Sequence, residues 1–321
     1  MKLLLAGGCG YIGTMLAPYL ADRGYEVEVA DLLWFGNFLP KEIKVYQKDL
    51  WECDIDFLEG YDQILFLGGI SNDPMADLSP QRNWILNAAL PAYLAWVAKK
   101  AGVRKYIFAS SCSIYGYTLN KMFTEQDPVV CDYPYGISKM QGESGVWQIQ
   151  DDKFSVISLR QGTISGHSPR MRFDLIVNTM FKTAMTEGKI IVNDPALWRP
   201  IVDLRDIVKA WTRAVEAHPT VNGSFNIATA NYTVGQVGDL VREKLKKKFK
   251  DVRLEVRNIP DMRNYAVSCE KAKNMLGFTP QSSVAEIVDD LYNHLEYYGD
   301  FTDPNFYNIQ IFKKLVKEGK V

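Results

Sequence analysis

Apolar residues follow two alternating rhythms through the first half of the chain, and each rhythm predicts a different element. Short apolar runs at Lys2–Ala6, Glu26–Ala30, Val45–Gln47, Gln63–Leu67, Lys105–Ala109 and Ser155–Leu159 predict six strands. Between them, helical spacing over Tyr11–Arg23, Pro80–Ala101 and Tyr135–Trp147 predicts helices. The first of these ends at Gly24. Pro91, inside the second, should kink or split it, because proline lacks an N–H and its ring clashes with the preceding turn. Strands alternating with helices at this spacing predict a parallel sheet covered on both faces, an α/β fold.

The second half is less regular. Asp174–Glu187 has helical spacing and ends at Gly188, Lys189–Val192 reads as a strand, Asp206–Ala217 as a helix and Ser224–Ile227 as one more sheet strand. Val234–Phe249 predicts a helix with a lysine-rich end (Lys244, Lys246, Lys247, Lys248, Lys250). That end reads as a solvated face, since no aromatic or glycine platform accompanies it for nucleic acid. After Tyr298, Asp303–Tyr307 and then Ile309–Val316 predict a docked terminal helix. With no repeat and no clean Pro/Gly linker, a second unit is expected to be woven into the first.

Composition narrows the classes. A net charge of -1 over 321 residues gives no field to gather nucleic acid or an anionic membrane, so phosphate recognition must be local. Cys9, Cys53, Cys112, Cys131 and Cys269 form no C-x-x-C pair, and His167, His218 and His294 lie far apart, so no metal site is expected. A reducing, cytoplasmic setting fits this cysteine usage. Met1–Ala6 stops at Gly7-Gly8, too short for a signal-peptide core, and no run approaches the roughly 20 apolar residues of a membrane helix.

Between the first strand and first helix stands Gly7-Gly8-Cys9-Gly10-Tyr11-Ile12-Gly13. Glycines there allow a tight turn and let backbone N–H groups approach a pyrophosphate at the helix N-terminus; a plain tight turn is the other reading. Asp31 closes the second strand near the distance expected for a carboxylate that accepts from ribose hydroxyls. It would repel a 2′-phosphate, which favours NAD over NADP. Read alone, it is also a simple strand-end acid. After the fifth strand come Ser110-Ser111-Cys112-Ser113-Ile114-Tyr115-Gly116, then Tyr135-Gly136-Ile137-Ser138-Lys139. Tyr135 and Lys139 are four apart and share a helix face. A free tyrosine, with a pKa of about 10, is a poor base at neutral pH. A neighbouring ammonium stabilises its phenolate, although the spacing also arises by chance in helices.

The segments AGGCGYIG, SSCSIYG and YGISK, in this order, resemble the extended short-chain dehydrogenase/reductase family, in its nucleotide-sugar epimerase/dehydratase branch. The likeness continues through Leu159-Arg160, Trp198–Asp203, Phe225-Asn226-Ile227, Arg263-Asn264-Tyr265 and Leu276–Pro280. It implies a Rossmann-type doubly wound sheet over residues 1–160, to which 201–228 returns, and a smaller interwoven α/β lobe over 161–321. It also implies NAD, held by Gly7, Gly10, Tyr11, Ile12, Gly13, Asp31, Leu67 and Lys139, with Asp49-Leu50 flanking the adenine. Tyr135 becomes the catalytic base, Lys139 its electrostatic partner and Ser111 the group that hydrogen-bonds the reacting sugar oxygen. Cys112 and Thr163 fall against the sugar, and Arg199 and Arg263 clamp the diphosphate.

Three departures qualify the reaction type. Cys112-Ser113 stands where 4,6-dehydratases of this branch usually carry Asp-Glu, Thr163 replaces an asparagine common in 4-epimerases, and Leu67–Ser71 replaces the usual H-L-A-A. The expectation is an epimerase working through transient oxidation, most simply at C4. The alternatives are a sugar-nucleotide dehydrogenase or ketoreductase, a dehydratase, and a non-catalytic NAD-binding sensor. The likeness also implies a homodimer built from the helices near Pro80–Ala101 and Tyr135–Trp147, which carry Trp84, Tyr93, Trp96 and Trp147.

Overall fold

A computed structural model describes residues 1–248, 252–257, 259 and 263–320. At its centre lie seven parallel strands: β1 (Lys2–Ala6), β2 (Glu26–Asp31), β3 (Lys44–Gln47), β4 (Gln63–Phe66), β5 (Lys105–Ser111), β6 (Ser155–Gln161) and β7 (Gly223–Ile227). They lie in the order β7-β6-β5-β4-β1-β2-β3. Every residue of β4, β5 and β6 is buried, as a sheet covered on both faces requires. Alternate residues feed two cores. Leu3, Leu5, Ile107 and Leu159 pack with Leu16 and Trp211, while Leu4, Phe66, Tyr106 and Phe108 pack with Leu90 and Leu94. The expected doubly wound α/β class is therefore observed. The winding reverses between β1 and β4, which opens a crevice beyond their carboxyl ends.

Five helices matter for the site: α1 (Gly13–Ala21), α2 (Leu90–Lys100), α3 (Pro134–Trp147), α4 (Leu204–Glu216) and α5 (Asn308–Lys317). The predicted span Pro80–Ala101 is split, as Pro91 suggested. A short helix (Pro80–Trp84) leads into a π-helical stretch (Ile85–Ala89), where Leu90 N–H bonds back to Ile85 O, before α2 begins. The wider turn takes up the mismatch just ahead of a residue that cannot donate.

The remaining strands form small sheets: Thr163–Ser165 with Trp198–Asp203 and Ala230–Thr233, Lys189–Asn193 with Arg253–Arg257, and Tyr117–Phe123 with Asn264–Val267. Met171, Phe173, Phe181, Val237 and Leu291 build the core of this lobe. The chain then crosses back. In α4, the Trp211 ring is buried in the sheet's own core and its Nε1–H donates to Gln161 Oε1 at 3.1 Å, and β7 closes the sheet beside β6. The lysine-rich helix runs over Val234–Lys246, opened by a Thr233/Gln236 capping box; Phe249 and Lys250 lie outside the described residues. Among the described residues no helix is long and apolar enough to cross a membrane.

Candidate active site

A cavity of about 560 Å³ lies between the carboxyl ends of the central strands and the lobe, within the range of small-ligand sites. Its first wall is the glycine turn. Gly7 has φ +80°, and a Cβ there would sit 2.5 Å from Gly68 Cα, so only glycine lets the β1 and β4 loops touch. A Cβ on Gly13 would meet Gly8 O at 2.1 Å. Gly10, by contrast, meets only its own turn's Gly7 O, at 3.6 Å, and leaves the mouth of α1 open. Asp31 stands beside it, its carboxylate accepting from Cys9 N–H at 3.0 Å and Leu33 N–H at 2.7 Å. Burial still holds the Asp31 pKa above the ordinary carboxylate value, partly offset by those two amides. Tyr11, Ile12, Asp49, Leu50 and Leu67 line the same wall. Asp49 also caps the next turn, accepting from Trp51 N–H at 3.0 Å.

The second wall brings together a hydroxyl, a phenol and an ammonium. Ser111 ends β5, Tyr135 opens α3 and Lys139 follows one turn later, and all three line the cavity with the glycine turn. The buried Lys139 Nζ donates to Ala109 O at 3.1 Å, and burial pushes its ammonium down to about 8. The Tyr135 phenol is raised by burial, while its hydrogen bond with Ser111 works in the opposite direction. The helix is locked in place. Ser138 Oγ bonds Tyr135 O at 2.8 Å and Asn83 Oδ1 at 3.1 Å, and a Cβ on Gly142 would strike Asn87 O at 2.1 Å. Glu143 lies beneath, paired with Arg160 at 2.6 Å and accepting from Ser224 Oγ at 2.8 Å.

The third wall belongs to the lobe. Arg199 and Arg263 both reach the cavity; Arg199 Nη1 donates to Trp198 O at 2.8 Å and to Arg263 O, and Arg263 pairs with Asp73 at 3.3 Å. Thr163 lines the cavity between them and the sheet.

Of the site residues read from the sequence, one is corrected. Cys112 does not face the cavity: it is wholly buried, its thiol donates to Arg160 O at 3.0 Å, and burial raises its pKa well above the ordinary thiol value. Because Cys112 opens a 3-10 turn, the next residue, Ser113, faces the cavity instead and shares a 3.2 Å hydrogen bond with Tyr265. Sequence reasoning also missed Trp34, Phe35 and the lobe residues Arg170, Arg172 and Asp174. Arg172 forks onto Asp174 with two bonds of 2.9 Å, and Asn72 Nδ2 donates to the same carboxylate at 3.1 Å. The run Arg170-Met171-Arg172-Phe173-Asp174, charges alternating with apolar residues just before a helix, was the available signal. It reads as an ordinary loop unless the charges are known to be buried.

The chain is similar to known proteins in sequence and in fold. The family described as "NAD dependent epimerase/dehydratase family" matches residues 3–228. UDP-glucose 4-epimerase of Corynebacterium glutamicum is 24% identical, with 94% of this chain and 97% of that protein covered. UDP-glucose 4-epimerase from Thermotoga maritima, solved with UDP-glucose, superposes with a TM-score of 0.81 at 25% identity, covering 94% of this chain and 100% of the other. An NAD-dependent NDP-hexosamine 5,6-dehydratase involved in tunicamycin biosynthesis superposes with a TM-score of 0.83 at 19% identity, over 94% of this chain and 99% of that one.

Proposed function

Because the chain belongs to the NAD-dependent epimerase/dehydratase family, we propose that it binds NAD and interconverts nucleotide-sugar epimers, most simply UDP-hexoses at C4. The observation that carries this reading is one cavity lined together by the glycine turn, Asp31, Ser111, Tyr135 and Lys139, and by Arg199 and Arg263 from the lobe. The residues fit the cofactor. The open mouth of α1 beside Gly10 suits a pyrophosphate, and the held carboxylate of Asp31 suits ribose hydroxyls.

Bound NAD would supply a hydride acceptor at the carbinol carbon and, reduced, the donor for the return. Ser111 holds the reacting oxygen. Tyr135 receives the hydroxyl proton and returns it, a role that requires a phenolate at the moment of transfer. Burial opposes that phenolate, while the Ser111 hydrogen bond and, after it, the charge of Arg172 favour it. Lys139, one helical turn on and lining the same cavity, is assigned as its further electrostatic partner. Arg199 and Arg263 are suited to fork onto the sugar nucleotide's diphosphate. With that end anchored, the hexose portion can present its opposite face for the return, and inversion results. A dehydratase reading finds less support, because Cys112 is buried and its thiol is pushed away from ionisation. A sensor reading finds less support because Ser111, Tyr135 and Lys139 share the cavity. A cytoplasmic homodimer completes the proposal on narrower support: Tyr93 and Trp147 pack against the chain's own second core, and the aromatic surface offered to a second copy is that of Trp96 on α2, 51% exposed, with half-buried Trp84.

The test is to denature purified protein and assay the nicotinamide released, then to compare wild-type turnover on UDP-sugars with that of Tyr135→Phe. Stoichiometric nicotinamide in both proteins, with turnover lost only in the variant by about 10²- to 10⁴-fold, supports the reading. Turnover unchanged in Tyr135→Phe contradicts it.

A further inference from the structure

The mechanism above makes no use of Arg170, and the surroundings of that side chain are unusual. The residue is 2% exposed, yet its Nε and Nη2 have no hydrogen-bond partner among the described residues. Its guanidinium carbon lies 3.9 Å from the centre of the Phe35 ring, the side chain lines the cavity, and Arg172, Asp174, Tyr11 and Asp31 are close enough to act on its charge without bonding its Nε or Nη2. The neighbouring Arg172 is satisfied by its fork onto Asp174; Arg170 is not.

The backbone explains why this guanidinium reaches the cofactor end of the cavity. Ser168 Oγ donates to Tyr11 O at 2.9 Å, shares a 2.9 Å bond with Thr14 Oγ1, and accepts Arg170 N–H at 3.3 Å. Thr14 Oγ1 also lies 3.0 Å from Gly10 O, and its one hydrogen is given either there or to Ser168. The lobe loop is thus fastened onto the first turn of α1, two residues before Arg170. A buried cation with unmet donors, held beside a helix N-terminus with open N–H groups, makes two independent demands for one anion. Phe35 covers one face of the guanidinium and leaves its edge for that anion.

From this we infer that Arg170 binds the pyrophosphate of the dinucleotide cofactor, closing from the lobe side the cradle that Gly10–Ile12 opens from the sheet side. The assignment rests on the cofactor reading above and adds to it a cofactor contact from outside the nucleotide-binding half. Burial, and then the charge of Arg172, depress the Arg170 pKa to about 9, a cost that a bound diphosphate removes. The cofactor then bridges the two units beside the Ser168 fastening.

The experiment titrates the full chain, freed of copurified nucleotide, with adenosine, ADP, NAD and NADP, for wild type, Arg170→Met and Arg170→Lys. Methionine keeps much of the stem's volume without charge, and lysine keeps the charge if the methionine variant fails to fold. The expected result is a loss of about 10- to 100-fold in ADP and NAD affinity for Arg170→Met, a smaller loss for Arg170→Lys, and unchanged adenosine binding. Equal losses for adenosine and ADP reveal a structural role and overturn the inference. A loss confined to NADP assigns Arg170 to the ribose phosphate instead and also overturns it. Unchanged binding of all four ligands does the same. A wild-type chain that binds none of them refutes the cofactor reading itself, a result distinct from any defect confined to the variants.

Discussion

At the scale of single residues, the site is a set of charges taken out of water and then compensated. The clearest case is Arg160 at 4% exposure, held by Glu143 through Nε and Nη2 and bonded to Tyr115 Oη at 2.8 Å through Nη1. Removing only the carboxylate strands a buried cation, so Glu143→Ala should cost about 3–5 kcal/mol, read as a denaturation midpoint. A loss well under about 1 kcal/mol, the size typical of an exposed pair, would show that water reaches Arg160. Such compensation is what the sequence concealed. The turn glycines, Asp31, Tyr135 and Lys139 were legible because their chemistry fixes their spacing along the chain. Arg170 and Arg172 were not, because burial and pairing across the lobe are set by contacts distant in sequence. Cys112 was misplaced for a local reason: a 3-10 turn at the end of β5 changes which side chain faces the cavity.

At the scale of elements, long apolar runs with one period were readable, and short strands of mixed polarity were not. The sheet strands β4, β5 and β6 are buried at every residue, so their apolar character is nearly unbroken. Thr163–Ser165 and Ala230–Thr233 are only 3 and 4 residues long, mostly half-buried, and carry no usable period. Two predictions belong at this scale. The loop at His167 is fixed to the junction between the helices Val284–Asn293 and Leu295–Tyr298 by a ring stack on His294 at 3.7 Å and a 3.2 Å contact with Tyr298 Oη. Burial, then the charge of His294, lowers the His167 pKa from 6.5 to about 4. Between those two values the unfolded chain binds the extra proton and the folded chain does not. Stability contributed by neutral His167 is therefore complete above the upper value and is lost as pH falls toward the lower one. The melting temperature should fall as pH is lowered through that window, and His167→Asn should flatten part of the fall; identical slopes would rule the stack out as its cause. The second prediction concerns α2. On the proposed homodimer, wild type should have the mass of two chains by light scattering and Trp96→Arg that of one, with nicotinamide content intact; a monomeric wild type or an unchanged variant mass would contradict that interface.

For the molecule as a whole, the two units are fastened together at several places, and the cavity lies between the fastenings. The chain crosses back through α4 and β7, Ser168 ties the lobe to α1, and the C-terminal segment forms a strap. In that strap Phe306 O accepts Phe173 N–H at 3.0 Å on the lobe, Asn308 Nδ2 donates to Ser71 Oγ at 2.7 Å beside the cavity, and Phe312 is buried in the sheet's second core near Trp34. The sequence showed the helix but not its destination, because a single amphipathic stripe does not say which surface it covers. Phe312→Ala should cost about 3–5 kcal/mol and speed nicotinamide loss on dilution. A destabilised protein that holds its nicotinamide as firmly as before would separate the strap from the cofactor.

The most direct measurement incubates the protein with UDP-hexoses in heavy water and follows the sugar by mass spectrometry and NMR. Epimerisation by Tyr135 through an oxidised sugar at the reacting carbon should yield an inverted isomer with no solvent deuterium on carbon and no net release of reduced nicotinamide. Deuterium on a neighbouring carbon, or a ketone accumulating with an equivalent of reduced nicotinamide, would contradict it.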